Sequence, residues 1–268
     1  MKKLVSIILT AAIALGITAC GGKSDDKKIT VAATPAPHAE ILEQCKPLLK
    51  EKGYELEVKI MNDYITPNTA TEDGEVDANY FQHINYLNNF NAENGTHLVN
   101  VANVHYEPFG VYAGTRKSLS DLKSGDSIAV PNDPTNEARA LLLLAENGVI
   151  KLTEGVGNTA TKKDIIENPK GVEIKEMEAA LLPSVLDEVA CAVINGNYAL
   201  GAGLKVADAI AVENSESVAI KQEYVNILVV KEGNENLPKI KALIEVLTSD
   251  EIAKYITDNY NGAVVPMK

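Results

Sequence analysis

The sequence predicts an α/β protein of two lobes with a ligand cleft between them. Three observations carry that prediction. Strand-like and helix-like segments alternate along the chain, which is the pattern of layered α/β folds and not of a sandwich or a bundle. A turn-rich break, His105-Tyr106-Glu107-Pro108-Phe109-Gly110, separates two such series. The length, 268 residues, suffices for two lobes with separate cores.

In the first series, Ile29-Thr30-Val31-Ala32-Ala33 reads as a buried strand that ends at Thr34-Pro35-Ala36-Pro37-His38. A helix follows, with Ile41, Leu42, Cys45, Leu48 and Leu49 on one face, Pro47 within it and Gly53 closing it. Tyr54, Leu56, Val58 and Ile60 alternate with charged residues, so the second strand is half exposed. Val76-Asp77-Ala78 reads as a short third strand, and the aromatic segment after it enters a helix ending near Gly95. Leu98 to Val104 is a further strand.

The second series begins after the break. Ser127-Ile128-Ala129-Val130 reads as a buried strand ended by Pro131. Asp133 is a natural N-cap, Pro134 suits the first helical position, and Thr135 to Asn147 continue as helix up to Gly148. Val172 to Met177 is a strand, Glu178 to Leu186 a helix and Val189 to Ile194 another strand. Tyr224 to Val230 gives one more apolar strand, then come helices from Pro238 and Ser249 and a closing segment, Gly262 to Pro266. Residues 29–108 with 225–268 are assigned to one lobe and 109–224 to the other.

Residues 1–19 fall outside this fold. Lys2-Lys3, the apolar run Leu4 to Ala14 and Ile17-Thr18-Ala19-Cys20 form a signal peptide whose end resembles a bacterial lipobox, with Cys20 as the lipidated residue. The run is short for a spanning helix and is interrupted by Ser6, Thr10 and Gly16. Residues 20–28 form a polar tether that would hold the protein to a membrane by its lipid alone. The expected address is therefore extracytoplasmic and lipid-anchored. The net charge of −12 argues against nucleic acid and against an anionic lipid surface as partner. Cys45 and Cys191 read as small buried hydrophobes.

Candidate chemistry sits at strand ends, where open α/β sheets bind ligands. Arg139 is one of two arginines in the chain, with Arg116, and lies in the second turn of its helix, where a cation gains nothing from the helix dipole. Two readings stand at this point. One is a surface ion pair with Glu137 or a neighbour, and the other is a clamp that shares a ligand carboxylate with the helix N-terminus. Asn136, Asn195 and Asn226 also follow or open strands, and Gly196 permits close backbone approach. The carbonyls of Asn195 and Asn226 can accept from an ammonium while Arg139 takes a carboxylate, or each asparagine is a turn or cap residue. Tyr80, Phe81, Tyr86 and Phe90 fall within eleven residues, with Tyr64 after a nearby strand. These rings line a slot for an apolar or sulfur-bearing side chain, or they form helix core, since Phe81, Ile84 and Leu87 share helical spacing. No nucleophile elbow or dinucleotide fingerprint occurs. His38, His83, His97 and His105 lack metal-ligand spacing and read as separate satisfied histidines, with His83 as the one candidate general base.

Several segments together resemble the NlpA family of substrate-binding lipoproteins, the methionine-binding components of methionine ABC importers. They are Val76-Asp77-Ala78-Asn79-Tyr80-Phe81-Gln82-His83, Ile128 through Asn136, Ala138-Arg139-Ala140-Leu141-Leu142-Leu143-Leu144 and Ala192 through Ala199. The likeness extends to Thr34 through Leu42, Glu107-Pro108-Phe109-Gly110-Val111-Tyr112 and Val264-Val265-Pro266. It implies a type II periplasmic-binding-protein fold, acting as a monomer that closes on methionine or a close analogue. The partners it implies are an importer permease and its ATPase, and it implies neither cofactor, nor metal, nor catalysis. It assigns the ligand carboxylate to Arg139, the head group to Asn136, Asn195 and Asn226, and the side-chain slot to Tyr64, Phe81, His83 and Tyr86, with Tyr80 beside them. Asn85 and Glu137 stand where the family often has proline and glycine. A methionine-containing dipeptide or another small amino acid is the alternative ligand, and an extracytoplasmic enzyme or a surface adhesin the alternative role.

Overall fold

The computed structural model describes residues 26–214 and 217–267, so the signal peptide, Cys20 and most of the tether lie outside the described residues. The first half builds β1 (Lys28–Ala33), α1 (Glu40–Glu51), β2 (Glu55–Ile60), α2 (Thr66–Glu72), β3 (Ala78–His83), α3 (Ile84–Asn94) and β4 (Leu98–Tyr106). The second series comprises β5 (Gly110–Ala113), β6 (Ser127–Pro131), α4 (Pro134–Glu146), β7 (Lys151–Leu152), β8 (Ile165–Glu167), β9 (Glu173–Met177), β10 (Cys191–Ile194), α5 (Gly196–Gly201) and β11 (Ala211–Val212). The chain ends with α6 (Val218–Glu223), β12 (Val225–Lys231), α7 (Pro238–Leu247), α8 (Asp250–Tyr260) and β13 (Val265–Pro266).

Two twisted sheets result. One has the order β13-β4-β12-β3-β1-β2 and the other β11-β5-β10-β6-β9, with β7 and β8 paired apart. In the first sheet β1 runs parallel to β2 and β3, while β12 is antiparallel to both β3 and β4. In the second, β6 is parallel to β9 and β10, and β5 is antiparallel to β10. The chain crosses between sheets twice, through residues 107–109 and again between β11 and β12. The first sheet packs Ile29, Val31, Leu42, Leu49, Leu243 and Ile256 into one core, and the second packs Ile128, Val130, Leu141, Leu144 and Val193 into another. Two cores on two sheets make the two lobes that the alternation predicts. Among the described residues no helix is long and apolar enough to cross a membrane.

The short elements β5, β7, β8, β11, α5 and α6 are absent from the sequence reading, and three further segments differ from it. Asn79 to His83 belong to strand β3, and the helix starts at Ile84. This strand lies in the sheet interior between β12 and β1 and is buried at every position. A strand covered on both faces loses its period-two pattern, which is why a chance helical spacing of Phe81, Ile84 and Leu87 misleads. Thr66–Glu72 is a short helix that polar, β-branched residues disguise. Ala179–Val185 is 3-10 and not α-helical, with Pro183 inside it. The anticipated Asp133 cap is present, since its side chain accepts from the Asn136 backbone N–H with Pro134 in the first turn. Cys45 and Cys191 are free and buried, as expected.

Candidate ligand-binding site

A cavity of about 330 Å³ lies between the sheets. It is lined by Tyr64, Phe81, Gln82, His83, Tyr86 and Asn226 on one side, by Asn136, Arg139, Asn195, Gly196 and Asn197 on the other, and by Glu107 at the first crossing. Eight of the nine residues singled out from sequence meet here: Tyr64, Phe81, His83, Tyr86, Asn136, Arg139, Asn195 and Asn226. The ninth, Tyr80, does not. Neighbouring side chains on a strand face opposite ways, so Phe81 reaches the cleft and Tyr80 enters the core, donating its hydroxyl to His105 Nδ1.

The aromatic end is built by packing. Tyr64 lies 5.6 Å from Phe81 and 5.6 Å from Tyr86 between ring centroids, and it stacks on Tyr198 at 5.0 Å. The hydroxyls in this slot are spent on protein. Tyr64 donates to Asn197 Oδ1 at 2.6 Å, Tyr86 to the Tyr64 carbonyl at 3.0 Å, and Tyr198 to the Asn62 carbonyl at 3.0 Å. The slot is therefore apolar in character despite its three tyrosines.

The polar end centres on Arg139. This residue is not a surface side chain, and its partner is not Glu137. It is 4% exposed and bonds Glu213 through Nε at 2.7 Å and Nη2 at 2.6 Å, with Nη2 also donating to the Glu107 carbonyl at 3.0 Å. Burial opposes its charge, and the Glu213 carboxylate more than offsets that, so the guanidinium stays protonated. Its flat face lies 4.1 Å from the Tyr224 ring centroid and 4.7 Å from that of Phe109. The remaining nitrogen, Nη1, takes no part in the Glu213 pair. Glu137 instead accepts from the Lys162 N–H at 3.2 Å, away from the cavity.

The asparagines divide the remaining work. Asn136 Oδ1 accepts from His83 Nε2 at 3.2 Å and from Asn195 Nδ2 at 2.8 Å, while its Nδ2 donates to Asp133. It therefore bridges the lobes, and both ends of its amide are engaged. Asn226 Oδ1 accepts from His38 Nε2 at 3.0 Å, which leaves Nδ2 as its other end. Among the described residues Asn195 Oδ1 and Asn197 Nδ2 are buried without a protein partner. Buried polar atoms are nearly always bonded, so an unpartnered acceptor and an unpartnered donor in one cavity point to a ligand that supplies both.

His38, His105 and Glu107 form a cluster that the sequence does not reveal. His105 Nε2 donates to Glu107 Oε1 at 2.7 Å, His38 Nε2 lies 3.4 Å from the same oxygen, and Thr34 Oγ1 donates to His38 Nδ1 at 2.7 Å. The two imidazoles thus sit 5.1 Å apart between centroids and are not separate satisfied residues. Both stay neutral: burial lowers His38 to about 4 and His105 to about 3. Burial pushes the Glu107 carboxyl up, against the opposing pull of His38 and Arg139. The 2.7 Å contact is a hydrogen-bond length, so the three groups are engaged with one another and not splayed around an ion. Gly196 explains its own identity, because a Cβ there would meet Glu107 Oε2 at 2.7 Å and Glu107 Cβ at 2.8 Å. Glu107, Asn197 and Glu213 were invisible to sequence reasoning. For Asn197, the signal was its position two residues after Asn195 at the same strand end.

Comparison with known proteins agrees with this geometry. Residues 29–268 match the NlpA lipoprotein family. The chain is 45% identical to the methionine-binding lipoprotein MetQ of Bacillus subtilis over 276 residues, covering 100% of this chain and 99% of that one. A lipoprotein of Ruminococcus gnavus of solved structure superposes with a TM-score of 0.88 at 59% identity, covering 90% of this chain and 100% of its own. A nutrient-binding protein from Burkholderia cenocepacia, solved bound to methionine, superposes at 0.85 with 41% identity, covering 90% and 100%. The two-lobed fold, the cleft and the sequence match thus converge, and the chain belongs to the NlpA lipoprotein family.

Proposed function

We propose that this protein is an extracytoplasmic lipoprotein, anchored through Cys20, that captures methionine in the interlobe cavity and delivers it to an ABC importer of permease and ATPase. The observation that carries the reading is the polarity of one small cavity. An apolar aromatic slot lies at one end, and Arg139, Glu107 and the unpartnered Asn195 Oδ1 and Asn197 Nδ2 lie at the other. A zwitterionic head group on a thioether side chain complements both ends. The methionine-bound Burkholderia relative supports the same assignment. The sheet membership of the strands supports lobes of 29–108 with 225–268 and of 109–224.

Binding, and not catalysis, is the role proposed. His83 is the one histidine lining the cavity, and burial followed by the charge of Arg139 lowers it to about 3. Its Nδ1 accepts from the Tyr86 N–H and its Nε2 donates to Asn136, so neither nitrogen is poised as a base. Calorimetry with L-methionine, D-methionine, methionine sulfoxide and short methionine peptides tests the reading. L-Methionine is expected to bind most tightly, and no binding by any of them overturns it.

A further inference from the structure

We propose that Glu107 is the counter-ion for the ligand's ammonium group, and that this ammonium, more than the carboxylate, determines binding. The inference rests on the amino-acid reading above and concerns how the two charged ends of the ligand share the work.

Arg139 is already neutralised. Glu213 takes two of its N–H groups in a bidentate pair, and the same carboxylate accepts from Tyr106 OH at 2.8 Å and the Phe109 N–H at 3.1 Å. A ligand carboxylate therefore meets a guanidinium whose charge is balanced, with Nη1 as the edge outside the pair.

Glu107 is in the opposite position. Its carboxylate is 5% exposed, borders the cavity and lies against the Asn195–Asn197 turn, as the tight Gly196 contact requires. The titratable groups around it are His38 and His105, both neutral, the hydroxyls of Tyr64, Tyr80 and Tyr112, and Arg139, whose Nη2 bonds the Glu107 carbonyl and whose charge acts on its carboxylate; that carboxylate also accepts from the Asn197 N–H. A buried carboxylate facing a cavity, whose one cationic neighbour is Arg139 already paired with Glu213, is strongly unfavourable when ionised. An ammonium supplies a cation to pair with it. Its three donors also suit the unpartnered Asn195 Oδ1 beside it. The donors Asn197 Nδ2 and Arg139 Nη1 are then left for the carboxylate.

Calorimetry near neutral pH with L-methionine, L-methioninamide (ammonium kept, carboxylate removed) and 4-(methylthio)butanoate (carboxylate kept, ammonium removed) separates the two ends. The amide is expected within about tenfold of methionine, the scale of a neutral hydrogen bond. The des-amino acid is expected to bind at least roughly 100-fold more weakly, the scale of a buried charge left unpaired. Glu107→Gln, with its fold checked by thermal unfolding, is expected to weaken methionine by a similar factor and to leave the des-amino acid unchanged or tighter. The inference is overturned if the des-amino acid binds as well as the amide, or if Glu107→Gln weakens both ligands equally. Wild-type protein that ignores all three ligands sinks the methionine reading as well, so the two failures are distinguishable.

Discussion

Arg139 and Glu213 form a buried two-bond ion pair that joins helix α4 to the segment by which the chain returns to the first sheet. Both crossings contribute to the cage around it. Tyr106 ends β4 and Phe109 lies in the first crossing, while Glu213 and Tyr224 come from the second. The pair thus holds the arginine at the axis where the lobes meet and limits which edge of the guanidinium a ligand reaches.

Removing one partner of this pair leaves the other charge buried and alone. Glu213→Ala is expected to cost on the order of 3–5 kcal/mol in urea unfolding. Glu213→Leu combined with Arg139→Leu is expected to cost much less than the two single substitutions together, because the double variant removes both charges. Strict additivity of the two would show that the pair is not a unit.

Gly196→Ala places a methyl group 2.7 Å from Glu107 Oε2, closer than real Cβ contacts come. The expected outcome is a loss of methionine affinity of tenfold or more, with overpacking strain of about 1–3 kcal/mol in stability. Unchanged affinity by calorimetry would mean that Glu107 moves away freely.

Tyr64→Phe deletes the 2.6 Å bond to Asn197 Oδ1 and strands that buried acceptor, while the ring stack survives. A cost of about 1–3 kcal/mol is expected in folding or in ligand affinity. Because the bond spans the cleft, the larger share should appear in affinity, and thermal shifts with and without methionine separate the two.

Acid should weaken the fold before the surface carboxylates titrate. His38, His83 and His105 are held at about 4, 3 and 3, below the ordinary 6.5. The unfolded chain therefore binds more protons than the native one below pH 6.5. Their contribution is complete above that value and is lost as pH falls toward 4, by up to about 1.4 kcal/mol per pH unit for each histidine. Glu107, whose carboxyl is raised, acts with the opposite sign and offsets part of the slope. Urea midpoints measured between pH 7 and 4.5 should fall, and replacing His105 with Gln should flatten the curve.

Cys20→Ala is expected to move the protein from the detergent phase to the aqueous phase in a phase-partition assay, without altering methionine binding. Partition into detergent by the variant would point to an anchor other than the lipid.

Local chemistry made much of the fold legible. The Asp133 cap, Pro134 in the first turn of α4 and the Ser249 cap of α8 all rest on backbone groups within three or four residues. Where tertiary burial replaces local pattern, the reading fails. Strand β3, covered on both faces, imitates a helix, and this carries Tyr80 out of the site and into the core beside His105.

The candidate site was legible to the extent that its residues share strand ends or motif segments. Asn136, Arg139, Asn195 and Asn226 satisfy that condition, and so do the rings after β2 and along β3. Their partners do not. Glu213 is 74 residues from Arg139, and His38 lies between β1 and α1, far in sequence from Glu107 in the first crossing.

The sequence by itself determined the α/β architecture, the family and most of the side chains that gather at the cleft, because periodicity, caps and motif runs are written in neighbouring residues. Only the tertiary structure decided what those side chains are free to do. It gave Arg139 an internal counter-ion, turned Asn136 into a bridge between lobes and left Glu107 without an ion-pair partner of its own. The physical reason is that pairing of buried charges and amides depends on distances across the fold, and these are set by packing between sheets that the linear order of residues does not encode.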